Sequence, residues 1–394
     1  MKEMSFSKIV GVFVLLLASW SPLAVAFAET TLKIGMLSLR PEPPPVLSNL
    51  DPIPPDLVIA GAQLGVEENK TTGKFLGVNF ELKVFSTDDI TTALDIAKEA
   101  FQYSRFIVVD APADLLIKIA DLPEATKQLL INASSPDVHL RQENCRYNLL
   151  HTIPSNAMRA DALMQFAAFR KWRDLALISG LHDKDIAFAE ALKKSARKFG
   201  LKIVEEKIWA FDADMRRNAS QEVPLFTQDL GEYDLLVVAD ELNDFGRYIS
   251  YNTWLPRPVS GSEGLSPVAW SSVVEQWGAA QLQSRFLETA GREMFPEDYA
   301  AWAAVRTLGE AVIRTKKTDL EGVRSYIMSD QFKLAGFKGK SLNFRHWNGQ
   351  MRQPMILATK RAVVAQTPLQ GFLHQSDELD TLGIDEPESR CSTF

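Results

Sequence analysis

Short apolar runs alternate along this chain with stretches of helical periodicity. Leu32-Lys33-Ile34-Gly35-Met36-Leu37 predicts a first strand, and Phe106–Val109 and Leu129–Ile131 predict two more. The last two are continuous apolar runs, as expected of parallel strands covered on both faces. Ahead of them, Ile90, Leu94, Ala97 and Phe101 recur at helical spacing. The pattern resumes with a strand at Leu175–Ile178. Ile186, Ala189, Leu192, Ala196 and Phe199 then fall on one helix face, and Leu235–Ala239 forms the next buried strand. Strands alternating with helices make right-handed βαβ units, so each half is expected to be a parallel sheet with helices on both sides. Later, Val273, Val274, Trp277 and Ala280 fit one helical face, and Trp302, Val305, Leu308 and Val312 fit another.

Two such sheets in one chain imply two lobes facing a cleft. Open α/β sheets bind ligands beyond the carboxyl ends of their strands. Those ends carry Ser38, Ser86-Thr87-Asp88, Asp110 and Ser134-Ser135 in the first half, and Gly180-Leu181-His182-Asp183 and Asp240-Glu241 in the second. Most are small or oxygen-bearing, which suits recognition by hydrogen bonds. Any one of them can equally cap the helix that follows, so the inference rests on the set. Seven prolines between Pro41 and Pro55 favour an extended loop directly after the first strand, either a cleft wall or a spacer. Trp254 and Trp270 lie near glycine and proline and are candidates for stacking on a ligand.

Residues 1–28 read as a secretory signal peptide, with Lys2 and Lys8 ahead of the apolar run Ile9–Ala18. Cleavage after Ala28 or after Ala26 fits the small-residue rule. Ser19, Ser21 and Pro22 break the apolar run short of the roughly 20 residues needed to span a membrane. Export to the periplasm lets Cys145 and Cys391 pair in an oxidising compartment, tying the tail to the body; two unpaired thiols are the other reading. The formal charge of -7 argues against a broad basic face and so against nucleic acid as a partner. Five histidines without an HExxH leave little for a zinc enzyme. There is no GxSxG elbow, Walker loop or GxGxxG after a strand, so no enzyme is indicated. The tail carries acids from Asp377 to Glu388, but aligning Gly383 with the glycine of an EF-hand loop puts Leu382 and Ser389 at ligand positions. A solvated acidic tail over 371–394 is the expectation.

The strand LKIGML after a leader, the helix starting near Asp56, CRYNLLHTIPSNAMRADAL (Cys145–Leu163) and DYAAWAAVRTLGEAV (Asp298–Val312) resemble the type I periplasmic binding proteins. PVSGSEGLSPVAW (Pro258–Trp270), EQWGAAQLQSRF (Glu275–Phe286), FKGKSLNFRHWNGQMRQP (Phe337–Pro354) and GFLHQSDELDTLGIDEPESRC (Gly371–Cys391), with the proline-rich loop, look like the subfamily associated with pyrroloquinoline quinone-dependent alcohol dehydrogenase systems. The resemblance implies two Rossmann-like lobes joined by three crossings, near residues 153, 280 and 336. Lobe 1 is then 29–152 with 281–335, and lobe 2 is 153–280 with 336–370. It implies a monomeric binding component of an ABC importer that needs no cofactor and passes its ligand to a membrane permease. A ligand sensor, or an accessory protein of alcohol oxidation, is the alternative. The ligand suggested is the quinone, a lanthanide complex or a related small molecule. A tricarboxylate such as the quinone wants arginines, and Arg40 is the one near a strand end. A trivalent ion wants several carboxylates, which Asp88, Asp110, Asp240 and Glu241 supply if they converge. Asp110-Ala111-Pro112 stands where the amino-acid receptors carry small hydroxyl residues, which puts amino-acid binding in doubt.

Overall fold

The computed structural model describes residues 30–40, 53–210 and 218–394. The expected leader and most of the proline-rich loop lie outside the described residues.

The first lobe is built from β1 (Thr30–Leu39), α1 (Ile59–Gly73), β2 (Val78–Thr87), α2 (Ala93–Tyr103), β3 (Phe106–Asp110), α3 (Ala113–Ala120), β4 (Leu129–Asn132) and β5 (Leu149–His151). Its strands form one parallel sheet in the order β2-β1-β3-β4-β5. Side chains alternate across it as a pleat requires. Ile34, Met36, Phe106, Val108 and Ile131 enter one core, while Leu37, Leu39, Ile107, Val109 and Leu130 enter the core on the opposite face. Burial on both faces is why these strands read as unbroken apolar runs.

The chain then crosses into the second lobe. This contains α4 (Asn156–Phe169), β6 (Asp174–Ser179), α5 (Asp183–Lys198), β7 (Lys202–Ile208), α6 (Ala219–Thr227), β8 (Leu235–Ala239), α7 (Gly246–Ile249) and β9 (Val259–Gly261). Its parallel sheet has the order β7-β6-β8-β9. Leu175, Leu177, Leu235 and Val237 pack with α4 and α5, and Ala176, Ile178, Leu236 and Val238 face the other core.

After β10 (Ser266–Val268) the chain returns to lobe 1 with α8 (Ala279–Ala290), α9 (Pro296–Thr315) and α10 (Leu320–Ile327). Trp302, Val305, Leu308 and Val312 are all fully buried on α9, the face the spacing predicted. α9 lies so close to α1 that a Cβ on Gly61 would come within 1.9 Å of the Asp298 carbonyl oxygen. β11 (Leu334–Ala335), β12 (Ser341–Phe344) and β13 (Met351–Arg352) form an antiparallel group, and β14 (Met355–Ala358) pairs with β10 on one side and β15 (Val363–Thr367) on the other.

Several expectations need correction. Ala269, Trp270 and Val274 already pack in the lobe 1 core ahead of residue 280. Leu342, Phe344 and Met351 also join the lobe 1 core, and β14 is shared, with Ile356 and Ala358 in that core and Met355 and Leu357 in that of lobe 2. Part of 336–370 thus packs in lobe 1 rather than wholly in lobe 2. Just ahead of β14 the buried Lys338 amine donates to Gln353 Oε1 (2.6 Å), and Gln353 Nε2 donates to the Thr152 carbonyl (2.7 Å). The helix predicted through Trp277 is broken there, because Trp277 and Gly278 both take positive φ. Ile90 and Ile186 are exposed rather than buried on their helix faces. Ile90 precedes α2, and on α5 the buried face instead carries Phe188 beside Ala189 and Leu192.

The tail is not a solvated acidic segment. Leu379, Asp380 and Leu382 are buried, and Cys391 forms a disulfide with Cys145, with Cα atoms 5.6 Å apart. Asp380 accepts from both Arg345 Nε (2.8 Å) and Arg352 Nε (2.7 Å). Two guanidinium groups on one carboxylate explain why an acid can sit there at all.

Candidate functional site

The parallel register of β1 and β3 sets Ser38 opposite Asp110 at the carboxyl end of the lobe 1 sheet. The Ser38 hydroxyl donates to Asp110 Oδ2 at 3.0 Å, and Arg40 Nε donates to the same oxygen. Asp110 is buried, while the Arg40 side chain is 32% exposed. Beyond β4, Asn132 Oδ1 accepts from the backbone N–H groups of Ser134 (3.2 Å) and Ser135 (2.9 Å). Ser134 Oγ accepts from Ala111 N (3.2 Å), and Ser135 Oγ donates to Asp137 (2.8 Å). The two serines thus shape the loop, and the Ser134 hydroxyl keeps its own hydrogen for another partner.

The lobe 2 rim is organised around Glu241. Arg159, in the first turn of α4, grips its carboxylate with two nitrogens at 2.5 and 2.9 Å, and Ser262 Oγ donates to it at 2.7 Å. The guanidinium also donates to Asn156 Oδ1 (2.9 Å) and lies 4.2 Å from the centre of the Phe188 ring. Burial opposes ionisation of Glu241, but the Arg159 charge and its hydrogen bonds outweigh it and hold the carboxyl below its ordinary value. The helix α4 begins here because Ser155 caps it, accepting from Met158 N at 3.2 Å.

Asp185 supports this rim from beneath. Its carboxylate accepts from Glu241 N (2.6 Å) and His182 N (3.3 Å), and burial pushes its pKa up to about 6. Asp240 accepts from three backbone N–H groups, those of Asp244 (2.9 Å), Phe245 (2.9 Å) and Gly246 (2.6 Å). Its oxygens are therefore committed to bracing the loop that follows β8. His182 is exposed and pairs through Nε2 with Asp244 at 2.9 Å.

A further charged group enters from lobe 1. Glu297, in the first turn of α9, is half-buried, and both Arg40 and Arg159 act on its carboxyl. Burial raises its pKa, and Asp298 adds to the rise; its own backbone N–H and the two arginines oppose it. Glu297 thus experiences cations from both lobes.

The structure separates the remaining expected residues from this group. Asp88 is exposed after the edge strand β2. Trp270 is 1% exposed, stacks on Tyr299 with ring centroids 4.9 Å apart, and donates to Gln283 Oε1 at 3.2 Å. It is a core residue; the ring left accessible is Trp254. The carboxylates named for a trivalent ion do not converge. Among the described residues no group of three or more His, Cys, Asp or Glu could hold a metal ion.

Arg159, Ser262 and Glu297 were not singled out from the sequence. Arg159 and Glu297 lie in the first turns of helices, and Ser262 follows a strand of three residues. Asn156 and Asp137, neighbours of the rim, also line a cavity of about 480 Å³ between the two lobes and the tail.

A family model described as periplasmic binding protein matches residues 56–215. Over most of its length the chain is similar to a leucine-, isoleucine-, valine-, threonine- and alanine-binding protein from Brucella ovis in its closed conformation. Identity is 16%, coverage is 92% of this chain and 98% of that one, and the TM-score is 0.71. A branched-chain amino acid ABC transporter periplasmic ligand-binding protein from Burkholderia xenovorans gives 15% identity, 92% and 99% coverage and a TM-score of 0.71. A Rhodopseudomonas palustris ABC transporter solute-binding protein in complex with 3,4-dihydroxybenzoic acid gives 12%, 84% and 93% coverage, and 0.61. No curated protein sequence matches the chain. At these identities the likeness is one of fold: two α/β lobes with parallel sheets.

Proposed function

From a chain with the type I periplasmic binding protein fold, matching that family's model over residues 56–215, we propose a periplasmic solute-binding component of an ABC importer. It captures a small organic ligand between its lobes and presents it to a membrane permease. The observation that carries this reading is the pair of arginine–carboxylate clusters, Asp110–Arg40 on lobe 1 and Glu241–Arg159 on lobe 2, at the carboxyl ends of the two sheets. Ligand favours the closed form because only closure lets both clusters contact it at once. Capture and release require no bond to be made or broken.

The Arg40 guanidinium, held to Asp110 through Nε and partly exposed, favours a ligand bearing carboxylate, since planar bidentate recognition is what arginine does best, whereas the Arg159 fork is taken by Glu241. The resemblance to the pyrroloquinoline quinone-linked subfamily makes that tricarboxylate quinone the leading candidate. A lanthanide would arrive inside an organic complex, because the described carboxylates offer no cage for a bare ion. The test is native mass spectrometry of protein purified from its own periplasm. Thermal shift titrations with the quinone, leucine, 3,4-dihydroxybenzoate and lanthanum chloride accompany it. A raised Tm with the quinone supports the full reading. A rise with leucine or the benzoate alone keeps the transport role and removes the quinone link. A rise with lanthanum alone, or no rise with an empty protein, refutes an organic ligand.

A further inference from the structure

The C-terminal segment touches both lobes and the crossings between them. On lobe 2, Gly383 N donates to Asp161 Oδ2 at 2.7 Å and Lys198 Nζ donates to the Gly383 carbonyl at 2.9 Å. Gln165 Nε2 reaches Thr381 Oγ1 at 3.0 Å, and Leu382 is part of the lobe 2 core. On lobe 1, Arg390 N donates to Gln142 Oε1 at 2.5 Å, Cys391 is bonded to Cys145, and the Phe394 ring lies 6.2 Å from that of Tyr147. Between these anchors runs only the stretch 384–389, part of it wound into a helical turn at Glu386–Glu388. It passes beside the cavity that Asp137, Asn156 and Lys194 line from the two lobes.

We propose that this segment is a covalently locked strap, joining the lobes along one flank of the cleft and limiting how far they separate. Buried groups hold its lobe 2 end, and a disulfide whose Cys145 partner is buried holds the other. From Gly383 to Arg390 even a fully extended chain reaches only about 25 Å, so the strap can unwind its turn and then stop. A protein kept from opening widely loses less freedom when ligand closes it, which strengthens binding by preorganisation. Only this last consequence rests on the proposed binding function.

The test measures lobe separation without ligand. Spin labels are attached at D88C and D183C, on the exposed rims of the two lobes, in the full chain, with the Cys145–Cys391 bond verified by peptide mapping. Their distance distribution is read by pulsed electron resonance in three backgrounds. These are the otherwise native chain, the C145S/C391S double variant, and a chain with a flexible Gly-Ser insertion between Pro387 and Glu388. The strap predicts a distribution that shifts to longer distances and broadens in both altered backgrounds. If the double variant fails to fold, the insertion, which keeps the disulfide, decides alone. Unchanged distances with the insertion overturn the proposal. Longer distances in a protein that binds no organic ligand would uphold the strap and refute the proposed function. Ligand binding with unchanged distances would do the reverse.

Discussion

The two arginine–carboxylate pairs across the cleft are built differently. In lobe 1 the acid is buried and the arginine lies open to water, held by strand ends that the sheet already fixes. In lobe 2 both partners are withdrawn, with side chains 18% and 14% exposed, and they come from a helix and a loop that share no ladder. The lobe 1 pair borrows its geometry from the fold, whereas the lobe 2 pair must make its own. Hence the second recruits Ser262, Asn156 and Asp185, and the first needs only Ser38.

The largest loss is expected of Arg159→Ala. It leaves Glu241 with Ser262 as its side-chain donor and removes the contact with Phe188, so a loss of about 3–5 kcal/mol is expected in urea unfolding. A loss below about 1 kcal/mol would show that Glu241 is better hydrated than its burial suggests.

A pH series tests the support beneath the same pair. The folded state holds the Asp185 proton more tightly than the unfolded chain does. Stability from this group is therefore greatest below the ordinary carboxylate range near pH 4 and falls as pH rises through about 6. Relative to Asp185→Asn, the wild type should lose about 2–3 kcal/mol between pH 4 and 6.5. Parallel pH profiles for the two proteins would refute the assignment.

Arg40→Ala sharpens the contrast from the other side. Solvent screens an arginine this exposed, and Ser38 still serves Asp110, so the expected cost is about 1 kcal/mol, shrinking in high salt. An unfolding cost equal to that of Arg159→Ala would erase the distinction between the pairs. Smallest of all should be the double change R159M/E241Q, which removes both charges together. It is expected to stay within about 1 kcal/mol of wild type while losing response to whichever ligand stabilises the native protein.

Much of this architecture was legible because buried parallel strands leave unbroken apolar runs. Phe106–Val109, Leu129–Ile131, Leu175–Ile178 and Leu235–Ala239 all lie within the strands they predict. The edge strand β7 was not legible. Its Lys202, Glu205, Glu206 and Lys207 give it the charged, solvent-facing pattern that protects an edge. Ser38, Arg40, Asp110 and Glu241 were within reach of the strand-end argument. Trp270 misled, since a tryptophan beside loop residues looks accessible until a distant helix supplies Tyr299 to cover it. Arg159 and Glu297 carried no local mark. A charged residue in the first turn of a helix reads as solvated; Arg159 finds Glu241 only when α4 folds beside the loop after β8, and Glu297 senses Arg159 only where the two lobes face each other. Leu342 and Met351 likewise carry no sign in the sequence of which core they enter.

Gln353 joins two segments far apart in the chain, with its side-chain carbonyl taken by Lys338 and its amide nitrogen given to Thr152. One short side chain thus fastens the segment ahead of β14 to the one that follows β5, and the amine that grips it is shut away from water. Solvent therefore has no easy route to loosen this joint.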